Sequence, residues 1–285
     1  AWRNPMNANT RVENAALTAK DLTVTRVRHA LKLRLGRVAR VLPITPYLTR
    51  VTLSGEDLRD FESASFDDHM KVFFPEPGAA KPVLPTLGPQ GPEYEPGAAR
   101  PTTRDFTPRR FDREAGELDI EFALHDAGPA TTWAAQARPG EYLGIGGPRG
   151  SMIIPTWFDW HLLIGDDTAL PAIARRLEDL PSGAKALVVA EVVDADARID
   201  LHSRADVQVV WAHRAEPNGR GLIQALEALP PLPTGQGFAW AAAESAVVRQ
   251  VRVHLLRDRG IDKSRMRTAA YWKRGASAIH EVLED

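Results

Sequence analysis

The chain has 285 residues, of which 44% are hydrophobic, and a formal net charge of −1. That length and apolar content suit two domains with cores of their own, and the balanced charge gives no electrostatic reason to expect a nucleic acid or an anionic membrane surface as partner. With no cysteine, disulfides, thiolate zinc sites, cysteine-ligated iron–sulfur clusters and cysteine nucleophiles are excluded, so any redox chemistry falls to a bound organic cofactor.

Residues 1–30 read as an N-terminal arm, its first 20 without clear periodicity, and no function is assigned to it. No apolar run reaches the length of a membrane span and no signal-peptide pattern occurs, so a cytoplasmic monomer without membrane insertion is expected. Two β-type runs, 37–41 and 47–53, flank Pro43 and Pro46 and predict a hairpin. A strand is predicted over 69–74, followed by a Pro/Gly-rich stretch, 75–101, that forms a long surface loop or a lid. Further strands at 117–124 and 142–145, with one helix near 130–137, make the first half strand-rich, and a small antiparallel barrel fits it. Beyond Pro155, apolar strands at 161–164, 186–193, 207–211 and 238–242 alternate with helices at 168–180, 221–229 and 245–259, the last ended by Gly260. Continuous apolar strands separated by helices predict a parallel sheet covered on both faces. Its ligands lie at the carboxyl ends of strands, which puts 165–168 and 243–245 at the crevice edge.

The segment Arg104-Asp105-Phe106-Thr107-Pro108-Arg109 carries the first chemical signal. Alternate residues of a strand share a face, so Arg104 offers a guanidinium to a pyrophosphate oxygen beside the flat ring of Phe106, while Thr107 can reach a heterocycle nitrogen. An exposed basic edge strand would read the same way. Downstream, Gly128-Pro129-Ala130-Thr131-Thr132-Trp133 opens a helical pattern just after His125. Small residues and hydroxyls at a helix start leave backbone N–H groups for a phosphate, although an ordinary Thr-capped helix is the plainer account. Residues 143–150 are glycine-rich, yet Arg149 breaks the dinucleotide fingerprint and no helix follows, so turn geometry is their plain explanation. The eight histidines include no pair at metal-binding spacing, so no metal site is expected, and neither a nucleophile elbow nor a phosphate-binding Gly-x-x-x-x-Gly-Lys occurs.

Taken in order, Arg104-x-Phe106-Thr107-x-Arg109, the 125–133 segment, Gly147-Pro148-Arg149-Gly150-Ser151, residues 165–172 and Tyr271-Trp272-Lys273-Arg274-Gly275 resemble the siderophore-interacting proteins, a branch of the ferredoxin-reductase superfamily. The likeness runs from about residue 30 to the C-terminus. It implies an FAD-binding β-barrel domain over 31–155 and an NAD(P)-binding-like α/β domain over 156–285, which together reduce a ferric siderophore and release ferrous iron. The electron donor implied is NAD(P)H or reduced ferredoxin. On this reading Arg104, Asp105, Phe106, Thr107, Arg109, His125, Gly128, Pro129, Ala130, Thr131, Thr132 and Trp133 surround FAD. Asp167, Thr168, Ala169 and Glu244 face the donor side, and Lys71, Arg149, Lys273 and Arg274 meet the anionic ferric siderophore. Two departures stand out: Phe106 replaces the more usual tyrosine, and Ala241-Ala242-Ala243-Glu244-Ser245 lacks a glycine before its acid. Two other classes stay open, a siderophore carrier without flavin chemistry and a flavin reductase serving a protein partner.

Overall fold

Apolar side chains at every second position give the first half its sheet. The computed structural model describes residues 21–124, 128–214, 221–276 and 281–283. The first half contains β1 (Thr25–Arg28), β2 (Leu33–Thr45), β3 (Leu48–Ser54), β4 (Met70–Phe73), β5 (Thr86–Gly88), β6 (Gly91–Glu93), β7 (Thr103–Phe106), β8 (Arg110–Asp112), β9 (Glu117–Ala123), α1 (Pro129–Gln136), β10 (Tyr142–Gly146) and β11 (Gly150–Ile153). Seven strands form one antiparallel sheet in the order β7-β4-β10-β2-β3-β9-β8.

The two edge strands of this sheet, β7 and β8, are joined by residues 107–109 alone. Six strand spacings of ~4.8 Å would hold the edges of a flat sheet ~29 Å apart, whereas this link reaches at most ~15 Å. The sheet therefore curls around its core, where Val51, Leu53, Val72, Ile120, Leu143 and Ile145 are fully buried. Among the described residues no ladder joins β7 to β8, so the barrel expected from the sequence takes the form of a curled sheet. Part of the expected N-terminal arm is a strand: β1 pairs with β11. The Pro/Gly-rich 75–101 stretch carries the β5–β6 hairpin. Gly144 and Gly146 sit inside β10 rather than in a turn, because a Cβ at Gly144 would lie 2.3 Å from Leu84 and one at Gly146 3.1 Å from Leu33 and Phe73.

The second half holds β12 (Trp160–Gly165), α2 (Leu170–Asp179), β13 (Lys185–Val192), β14 (Asp206–His213), α3 (Leu222–Glu227), β15 (Gly237–Glu244), α4 (Ser245–Arg257), β16 (Met266–Trp272) and β17 (Glu281–Val282). Its sheet order is β14-β13-β12-β15-β16-β17. The first five strands are parallel and β17 is antiparallel, so the sheet is mixed rather than purely parallel. The chain order reverses between β12 and β15, and such a switch point opens a crevice at the carboxyl ends of the two strands. Among the described residues no helix is long and apolar enough to cross a membrane.

Two arginines of α2, one buried and one half-buried, fasten the two halves. Arg176 donates to the carbonyls of Ile154 and Pro155 at 2.9 and 2.7 Å, and Arg175 donates to Ser63 Oγ at 2.8 Å and Pro108 O at 2.9 Å. Trp240 Nε1–H donates to Asp67 at 2.8 Å, and Arg267 pairs with the other Asp67 oxygen. Burial pushes the Asp67 carboxyl above the usual carboxylate range, against the opposing pull of Arg267 and Trp240.

Candidate functional site

A cleft of about 1110 Å³ lies where the curled sheet meets the switch point. Its first wall is β7 and the turn after it: half-buried Arg104, Asp105 and Phe106, then buried Thr107. The Phe106 ring packs 4.6 Å from that of Phe122 and 6.3 Å from that of Phe74. Part of it is therefore anchored in the core while the rest borders the cleft. The second wall is the start of α1, with Gly128, Pro129, Ala130 and Thr131. Among the described residues no side chain caps this helix, and a Cβ at Gly128 would meet nothing within 4 Å. The first-turn N–H groups thus face an open space suited to an anion.

The opposite wall comes from the mixed sheet, and Asp166 organises it. Its Oδ1 accepts from Thr168 N at 3.0 Å and Thr168 Oγ1 at 2.5 Å, and its Oδ2 accepts from Glu244 N at 3.1 Å and Trp272 Nε1 at 2.8 Å. One buried carboxylate therefore ties together the ends of β12, β15 and β16. Glu244 works alongside it: Oε2 caps α4 through Ala246 N and Val247 N, and Oε1 accepts from Arg274 N at 3.3 Å. Lys273 and Arg274 follow as exposed cations on the rim. Farther along, Arg214 pairs with Asp167 at 2.6 Å, and Glu191 accepts from Leu222 N at 2.7 Å. Burial pushes the Glu191 carboxyl upward, with the Leu222 hydrogen bond and Arg214 opposing.

Of the residues expected from the sequence, the cleft brings together Arg104, Asp105, Phe106, Thr107, Gly128, Pro129, Ala130, Thr131, Asp167, Thr168, Glu244, Lys273 and Arg274. Others lie elsewhere. Arg109 clamps Glu178 on α2 through bonds of 3.0 and 2.6 Å, so it joins the domains. Trp133 packs on Phe74 and Phe122, and Ala169 is fully buried. Thr132 is exposed outside the lining. Lys71 pairs with Asp105 at 2.8 Å from the neighbouring strand, and Arg149 is exposed beyond β10. His125 lies outside the described residues. Asp166, expected at the crevice edge with its neighbours but given no role, lines the cleft, and sequence reasoning assigned no role to Glu191, Arg214, Glu121, His69 and Tyr271, which line it too. For Asp166 a signal existed, since Asp-x-Thr after an apolar strand is an N-cap pattern; an acid closing the buried run of β13 was the signal for Glu191. No group of described residues has the makings of a metal site.

Comparison with known proteins agrees with this geometry. A family model described as the siderophore-interacting FAD-binding domain matches residues 37–152, and one described as siderophore-interacting protein matches residues 158–275. The chain is 36% identical over 250 residues, covering 87% of itself and 95% of the relative, to an NADPH-dependent ferric-chelate reductase of Escherichia coli. A siderophore utilization protein from T. fusca superposes with a TM-score of 0.81 at 38% identity, over 90% of this chain and 98% of the other. A ferredoxin reductase in carbazole 1,9a-dioxygenase, at 14% identity, shares the fold with a TM-score of 0.58 over 84% of this chain and 69% of that one.

Proposed function

The chain belongs to the siderophore-interacting protein family, and from that premise we propose that it is an FAD-dependent oxidoreductase that reduces ferric siderophores with electrons from NAD(P)H. The observation that carries the reading is the single cleft in which an arginine–aromatic–threonine strand, an uncapped helix start, a switch-point turn and two rim cations converge. The residues fit the cofactor: the first-turn N–H groups of α1 and the Arg104 guanidinium are complementary to a pyrophosphate.

Bound FAD would accept two electrons as hydride and release them singly, which suits a one-electron metal acceptor. Arg104 would hold the pyrophosphate, with α1 presenting Ala130 and Thr131 N–H groups beside it. Phe106, anchored by Phe122, would keep the flat ring in register, and Thr107 would offer its hydroxyl to a ring nitrogen. Asp166 would orient the 166–168 turn and Glu244 toward the nucleotide donor, with Arg214 as the cation of that half. Lys273 and Arg274, held against the turn by Trp272 and Glu244, would draw in an anionic chelate. Oxygen donors that grip ferric iron hold the softer ferrous ion less well, so one electron suffices for release. The discriminating experiment is a pair of variants. Arg104→Ala should lose FAD on gel filtration, whereas Lys273→Ala with Arg274→Ala should keep FAD and raise KM for an anionic ferric chelate. Unchanged FAD content and unchanged KM in both would reject the assignment.

A further inference from the structure

Glu121 on β9 lines the cleft and has no role in the reading above. Along this strand Leu118, Ile120 and Phe122 face the core, so Glu121 and Ala123 stand on the other face, both in the cleft wall. The Glu121 side chain is only 2% exposed, and its two oxygens differ in their surroundings. Oε1 accepts from Arg50 Nε at 3.0 Å and Arg50 Nη2 at 2.5 Å, and Arg109 Nε stands 3.5 Å from the same atom. Both guanidiniums thus gather on one oxygen. Oε2 is buried and has no hydrogen-bond partner among the described residues. An unmet acceptor at that depth is costly, and a ligand in the cleft that brings an O–H would relieve it.

The position of Glu121 along the cleft identifies the donor. On one side, Arg109 N–H donates to Asp119 O at 2.9 Å, which holds the turn after Phe106, the ring end of the flavin, against β9. On the other side, β9 ends at Ala123 and α1 begins at Pro129, the phosphate end. Glu121 lies between the two. The part of FAD that joins ring to pyrophosphate is the ribityl chain, whose free hydroxyls are donors. We propose that Glu121 is a cofactor-binding residue whose Oε2 accepts a hydrogen bond from a ribityl hydroxyl of FAD. The inference rests on the flavin reading above and adds the residue that fixes the chain between ring and phosphates. Because Arg50 and Arg109 already hold Oε1, the acceptor is preset and loses little freedom when FAD arrives.

The test titrates the full chain with FAD and with 2′-, 3′- and 4′-deoxy-FAD, reading affinity by fluorescence for the parent protein, Glu121→Met and Glu121→Gln. In the parent, one of the deoxy analogues should bind about tenfold more weakly than FAD, or worse, as loss of a bond to a charged acceptor implies. Glu121→Met removes the acceptor, so it should weaken FAD itself and abolish the penalty of that analogue, since both changes delete one bond. Glu121→Gln keeps the shape of the side chain and carries the comparison if the methionine variant folds poorly; its neutral amide should shrink the penalty. Equal affinity of the parent for FAD and every analogue, or a penalty that stays at its parental size in the variants, would overturn the proposal. Parent protein that holds no FAD would defeat the functional reading itself, a result seen before any variant is compared.

Discussion

Replacing Asp166 by alanine tests how far one carboxylate holds the site together. The substitution strips the acceptor from four donors: Thr168 N, Thr168 Oγ1, Glu244 N and Trp272 Nε1. Bonds to a charged acceptor contribute roughly 1.5–3 kcal/mol each. The Thr168 hydroxyl can rotate to water at the cleft wall, and the Thr168 amide, beside it, can be partly rehydrated. Counting mainly the Glu244 amide and the Trp272 indole gives a loss of ~3–5 kcal/mol. Urea unfolding followed by circular dichroism would measure it as a lower midpoint at unchanged slope. The same variant releases Trp272, and with it the Lys273-Arg274 rim, so KM for an anionic ferric chelate should rise while FAD affinity stays near the parental value. A stability loss below ~1 kcal/mol, with KM unchanged, would refute the view that Asp166 joins the donor turn to the acceptor rim.

Three further outcomes follow from buried groups. Burial, with Arg176 beside it, drives the His161 imidazole down to about 4, so folded His161 stays neutral where the unfolded chain takes up a proton. Its contribution, at most ~3 kcal/mol, is therefore fully present above pH ~6.5 and is lost as the pH falls toward 4; His161→Leu should flatten the stability profile across that window. Arg176 is itself lowered to about 10 by burial, and Arg176→Met should cost ~2–4 kcal/mol in denaturant melts because the Ile154 and Pro155 carbonyls lose their donor. At Gly165 a Cβ would lie 2.3 Å from that of Ala169 and 2.9 Å from the Ala242 carbonyl, so Gly165→Ala should destabilise the protein by ~1–3 kcal/mol and weaken nucleotide binding, both measurable by melts and titration.

Periodicity made most of the fold legible. The 37–53 hairpin appears as β2 and β3, the predicted strand at 117–124 as β9, and the alternation of apolar strands and helices beyond Pro155 as β12 through α4. Strand β16 went unread because Arg267 and Thr268 interrupt its apolar pattern. The structure explains both: Arg267 answers the buried Asp67, and Thr268 faces Arg252. The antiparallel β17, only two residues long, gives no periodic signal at all. In the site, the residues adjacent in sequence were legible, as Arg104 and Phe106 on one strand with Thr107 just after it, or Gly128 to Thr131 at one helix start. What sequence could not supply was contact across the chain. Asp166 meets Trp272, 106 positions away, and Arg109 turns from the motif it belongs to because Glu178 on the other domain answers its charge.

The central claim is tested most directly by the visible spectrum of the protein after FAD addition and gel filtration, followed anaerobically through NADPH, NADH and then a ferric chelate. Flavin bands that survive filtration, bleach with a nicotinamide nucleotide and return on adding the chelate, with ferrous iron trapped in step, are the predicted result. A colourless protein that still binds the chelate would contradict it.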